Sequence, residues 1–178
     1  DAVAPQSRDR LRALSLFGRI RQDQGQLAAA ESVHRDVLAQ LTSRYGPENA
    51  EVEPALADLG ATLFARGDYA GAVELFERAV SIVDTAAASD AATAFAARTG
   101  AVEDQTQARA GLYDRLIETY YRLAAADPSR AATAAARSFV LAQQVAATRA
   151  GQALSDMAAR QASGTGALAQ LVRQRQDL

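Results

Sequence analysis

Two stretches of this chain superpose without a gap at a constant offset of 42 residues. The first is "LSLFGRIRQDQGQLAAAESVHRDVL" and the second "LADLGATLFARGDYAGAVELFERAV". Gly18 matches Gly60, Gly25 matches Gly67, Leu27 matches Tyr69, Ala30 matches Ala72 and Val37 matches Ala79. A unit repeated at such a period cannot bury its apolar face alone, so the copies must stack. Each unit reads as two helices. Helix A carries the stripes Leu14, Phe17, Ile20 and Leu56, Leu59, Leu63, and it stops at Gly25 and Gly67. Asp68 is placed to cap the next helix, whose face is Ala72, Phe76, Ala79 and Val80. Small residues at Gly18, Ala30, Gly60 and Ala72 stand where the helices of a pair cross, where a larger side chain would force them apart.

Composition agrees. Alanine, the strongest helix former, supplies 44 of 178 residues, there is no Trp, and the prior is all-α. The net charge of -2 and the lack of any long basic run argue against nucleic acid as a partner. Without Cys there is no disulfide, thiolate metal site or cysteine nucleophile, and the compartment stays undecided. No apolar run reaches the length of a membrane span.

The second unit resembles the tetratricopeptide repeat, with Leu59-Gly60, Gly67, Tyr69, Ala72, Phe76 and Ala79 in the signature places. The 42-residue spacing and the linker "YGPENAEV" resemble the kinesin-light-chain-like variety. The first unit departs from the pattern at His34, where the family has Tyr or Phe. The resemblance implies a right-handed α-superhelix of helical hairpins, a protein-binding role, and a groove lined by the second, fifth, ninth and twelfth positions of helix A. Those fall on Arg12, Ser15, Arg19 and Gln22 in unit one, and on Pro54, Ala57, Ala61 and Phe64 in unit two. Such a groove is polar and basic at one end and apolar at the other. It suits an extended peptide with an acidic group and an apolar side chain.

A third, drifted hairpin follows. Leu112, Leu116, Tyr120 and Leu123 form its first stripe, and Asp127-Pro128 opens its second helix. Ala135, Phe139 and Ala142 repeat the spacing of Ala72, Phe76 and Ala79, which predicts that they form the packed face. The reading divides the chain into repeats over 8–86, an alanine-rich insertion over 87–105 that continues as helix to about residue 98, the third hairpin over 106–163, and a connector helix over 164–178. Ser163 to Gly166 reads as a break. The helix "GALAQLVRQRQDL" has no stop signal and is expected to continue into a further domain. The stretch from "SFVLAQQ" to "LVRQRQDL" resembles the segment that follows the repeats in bacterial CHAT-domain proteins, which carry a caspase-like peptidase domain. That resemblance implies that the array is the recognition or regulatory part of a larger peptidase and packs against that C-terminal domain. The other reading is a purely structural or oligomerisation module with no external ligand, packed against its own C-terminal domain or paired as a homodimer.

Catalytic chemistry has little to stand on. His34 is the only histidine, with Glu31 three residues before it, and packing in place of an aromatic ring outweighs a metal role. Gly164-Thr165-Gly166 lacks the lysine a phosphate loop needs, since the chain contains none. Tyr120 reads as core, Tyr121 as rim, and Glu74 and Glu77 as an exposed helix face. The expectation is therefore no enzyme, no cofactor and no metal.

Overall fold

The computed structural model describes residues 8–93 and 101–165. Among the described residues it is all-α and has no strand, a succession of helical hairpins. The six helices are α1 (Arg8–Asp23), α2 (Leu27–Tyr45), α3 (Glu53–Ala65), α4 (Tyr69–Thr93), α5 (Ala101–Ala126) and α6 (Ala131–Thr165). A 3-10 turn, Pro128–Arg130, precedes α6. Residues 1–139 form one compact unit and residues 140–178 a second. In the first unit α1 packs on α2, α2 on α3, α3 on α4, and α4 on α5.

The turns follow from their residues. Gly25, Gly46 and Gly67 have φ of 74°, 89° and 82°, the left-handed conformation that ends a helix at little cost only for glycine. Asp68 Oδ1 accepts the Gly71 amide at 3.0 Å and so caps α4. Asp127 Oδ1 accepts from the Ser129 amide at 3.1 Å, with Pro128 opening the turn. The Asp127 carboxyl is held below its usual range, chiefly by the Ser129 hydroxyl, which donates to Oδ1 at 2.6 Å.

At the heart of each of the first two hairpins a glycine of helix A meets a ring of helix B. Gly60 lies under Phe76, and Gly18 under His34. His34 is 1% exposed and neither ring nitrogen has a hydrogen-bond partner. The histidine thus fills an aromatic packing position. Burial, and after it the charge of Arg19, lowers its pKa. Glu31 does not share a site with it. The Glu31 carboxylate is buried and ion-paired to Arg35 on its own helix and to Arg66 at the end of α3, joining the first hairpin to the second.

The third hairpin keeps the register of α3. Thr62 and Thr119, both fully buried, each donate to the carbonyl four residues back, Asp58 at 3.0 Å and Arg115 at 2.7 Å. The pairs Ala55/Leu112, Leu56/Tyr113, Leu59/Leu116 and Leu63/Tyr120 are likewise buried. These equivalences stand 57 positions apart, where the first two units stand 42 apart. The α4–α5 contact carries hydrogen bonds as well as packing. Tyr120 donates to Glu77, and Tyr113 and Arg109 both donate to Asp84. Burial, then the bond to Glu77, raises the Tyr120 pKa.

Several expectations need correction. Glu77 is half-buried and bonded to Tyr120, not part of an exposed face. In α1, Phe17 and Ile20 are 43% and 45% exposed, whereas Leu11 and Gly18 are buried. α1 packs on α2 and, more lightly, on α3, and the side it buries there is not the expected stripe. In α6, Phe139 is 64% exposed and Ala135 and Ala142 are exposed. Ala134, Leu141 and Val145 are buried instead, a face rotated by one residue. Sequestering the two branched side chains removes more apolar surface from water than Phe139 alone would. No break falls at Ser163-Gly164, because α6 continues through them to Thr165. The insertion is helical to Thr93 in α4 and from Ala101 in α5. The remainder of the expected α4 extension, residues 94–98, and the terminal helix from residue 166 lie outside the described residues.

Candidate functional site: the helix-A groove

The first helices of the three hairpins, α1, α3 and α5, line a common surface. It holds a cleft of about 480 Å³ whose wall includes Arg19, Gln22, Ala61 and Phe64. A second cleft of about 270 Å³ lies toward the start of α1 and includes Arg12, Ser15 and Pro54. Arg19 and Asp58 belong to both and form the ridge between them. Ala57 lines neither cleft and is half-buried on α3. Seven of the eight sequence-derived positions thus line one or both of two recesses.

Local structure explains the spacing. A helix brings residues three, four and seven apart onto one side, so Arg12, Ser15, Arg19 and Gln22 project together. Ala61 in the middle helix is small, and this leaves the larger cleft open between the arginine of α1 and the side chains of α5. Gln22 is fixed from below, since its Oε1 accepts from the Thr62 hydroxyl at 2.8 Å. Phe64 is held by the Tyr69 ring, edge-on at 5.4 Å.

The centre of the groove is electrostatically tense. Burial raises the pKa of Asp58, and Arg19 and Arg115 on either side oppose that rise without cancelling it. Neither guanidinium lies within ion-pair distance of a carboxylate among the described residues. Glu53, near the start of α3, is likewise raised, first by burial and then by Asp58. The surface thus offers two cations outside any ion pair, a half-buried carboxylate between them, and an apolar corner at Ala61 and Phe64. This arrangement can grip a peptide through several weak contacts.

Asp58, Arg115, Glu118 and Thr119 escaped the sequence reading. The last three come from α5, where Ile117 stands in the place of Gly60 and hides the groove register. The one signal for them is the repeated buried threonine, Thr62 and Thr119. Among the described residues no group of three or more His, Asp or Glu could hold a metal ion, and no helix is long and apolar enough to cross a membrane.

Residues 9–85 match the tetratricopeptide repeat family. That span covers α1 through most of α4, so the first two hairpins are a tetratricopeptide repeat region. Repeats of this kind are protein-interaction modules. No curated protein matches the chain.

Proposed function

We propose that the chain is a protein-binding scaffold that receives an extended peptide segment along the α1–α3–α5 groove. The observation that carries this reading is the cleft in which Arg19, Arg115 and Asp58 converge beside Ala61 and Phe64. Three rigid helices contribute to it, so a ligand is met by preorganised side chains rather than by loops that must first be ordered. The finer reading is that the groove serves recognition for a CHAT-type peptidase. Its support is the resemblance of "SFVLAQQ" to "LVRQRQDL" to the segment that adjoins such domains. The chain contains no Cys, and its single His is buried under the first hairpin's crossing.

A peptide library screened against the 178-residue chain tests the binding role. Arg19→Glu and Phe64→Ala should each weaken a selected ligand by about tenfold or more, the loss typical of a central contact residue. A ligand bound equally by wild type and both variants would place its site elsewhere.

A further inference from the structure

The charges along the groove are ordered. Through the 42- and 57-residue offsets, Asp58 of α3 and Arg115 of α5 stand level with Leu16 of α1, and Glu118 of α5 stands level with Arg19. At each of these two levels a cation and an anion share the wall of the larger cleft, beyond ion-pair distance of each other. The ends are not balanced in this way. Arg12 lines the smaller cleft and Asp23 the larger. Both are exposed, and neither makes an ion pair among the described residues. Arg8, one turn before Arg12, is already paired with Glu51.

The helix backbones carry the same polarity. Leu11 and Pro54, in the first turns of α1 and α3, line the smaller cleft, and Asp23 and Ala65, the last residues of those helices, line the larger. Backbone dipoles leave the first end positive and the second negative. Of the charges in the last turn of α1, Arg21 lines neither cleft and has the sign the helix favours. Asp23, on the groove, has the other sign, and no cation within the chain offsets it.

We propose that the groove selects a peptide of mixed charge, with an acidic side chain over Arg12 and a basic one over Asp23. This rests on the groove reading above and adds the class of its ligand. The span from Arg12 to Asp23 is about 16 Å of helix, which an extended chain covers in about five residues. An apolar side chain next to the basic one then falls beside Ala61 and Phe64. A uniformly acidic peptide would meet Asp23 at the negative helix ends, and a uniformly basic one would meet Arg12 at the positive ends. The balanced levels between them favour neither sign.

Fluorescence polarisation with the 178-residue chain and labelled Ser/Ala peptides tests this. Each peptide is about ten residues long and carries a Glu and a Lys about five residues apart, with a Leu beside the Lys, in both chain orders. The controls carry Glu at both charged places, Lys at both, or Gln at both. At about 50 mM salt one order of the Glu/Lys peptide should bind about fivefold more tightly than any control. Arg12→Glu should shift the preference to the Lys/Lys peptide, and Asp23→Lys to the Glu/Glu peptide. Both side chains are exposed, so circular dichroism should not change. Three results would each overturn the proposal: a wild type that prefers a control, a wild type that binds none of the peptides, and variants that shift in the crossed sense. The groove itself is judged separately, by whether Phe64→Ala weakens a library-selected ligand of any charge.

Discussion

His34 stands so close over Gly18 that a Cβ at residue 18 would lie 2.5 Å from the imidazole Cε1 and 2.8 and 2.9 Å from the ring nitrogens. One hairpin later the Phe76 ring makes the same approach to Gly60, at 3.0 to 3.2 Å. The glycine in each helix A is therefore the seat for a ring of helix B, and it sets how closely the pair can cross.

Gly18→Ala should accordingly destabilise the first hairpin by about 1–3 kcal/mol, the usual cost of overpacking. Gly60→Ala should cost less, because its neighbour stands half an ångström further off. Urea denaturation of the two variants measures the order. An inverted order would show that the His34 ring moves aside freely.

His34 also makes stability depend on pH. Its pKa is lowered in the folded chain, so the unfolded chain binds a proton first as pH falls through 6.5. Stability is intact above that value and is lost below it, with a slope of at most about 1.4 kcal/mol per pH unit for one proton. His34→Phe copies the Gly60–Phe76 arrangement and should flatten the thermal midpoint between about pH 7.5 and pH 5.5. Parallel pH profiles for wild type and variant would remove His34 as the cause.

Glu31 is the buried end of an ionic tie whose other end, Arg66, belongs to the next hairpin. Arg66→Ala leaves that carboxylate with Arg35 alone, and the expected loss is about 1–3 kcal/mol. A double-mutant cycle with Glu31→Gln should show positive coupling. Strict additivity would mean that packing alone joins the hairpins.

Asp58 should behave as a residue kept at the expense of stability. Its raised pKa means that burial outweighs the two arginines, so at neutral pH the charged carboxylate strains the fold. Asp58→Asn should leave the thermal midpoint unchanged or raise it, while altering affinity for a groove ligand. In a His34→Phe background, the chain that keeps Asp58 should gain stability as pH falls through its raised value toward 3.8. The chain that also carries Asp58→Asn should show a smaller gain, since Glu53, whose pKa burial also raises, still contributes. A midpoint clearly lowered by Asp58→Asn would contradict this ordering of burial over attraction.

The repeat made the hairpins legible. Matching Gly18 to Gly60 and His34 to Phe76 located both crossings, and the stripe Leu112, Leu116, Tyr120, Leu123 is buried as its spacing implied. Periodicity could not say which of two adjacent flanks would be covered. Phe17 and Phe139 sit on apolar flanks, yet burial depends on whether another helix arrives there, and no pattern within the helix records that. The groove was half legible for a related reason. Its register was counted from a glycine, and α5 has Ile117 at that place, so Arg115 and Glu118 went uncounted.

Thr62 and Thr119 bear on how such a chain can lengthen. Fifteen additional residues separate the third helix A from the second, compared with the first interval, yet both helices are buried at the same register, with a threonine at the same place in each. Distance along the polypeptide is thus uncoupled from register on the helix-A face. The extra residues lengthen the α4 to α5 interval without shifting the register in which α5 meets the cleft, where Arg115, Glu118 and Thr119 join Asp58 and Ala61 of α3.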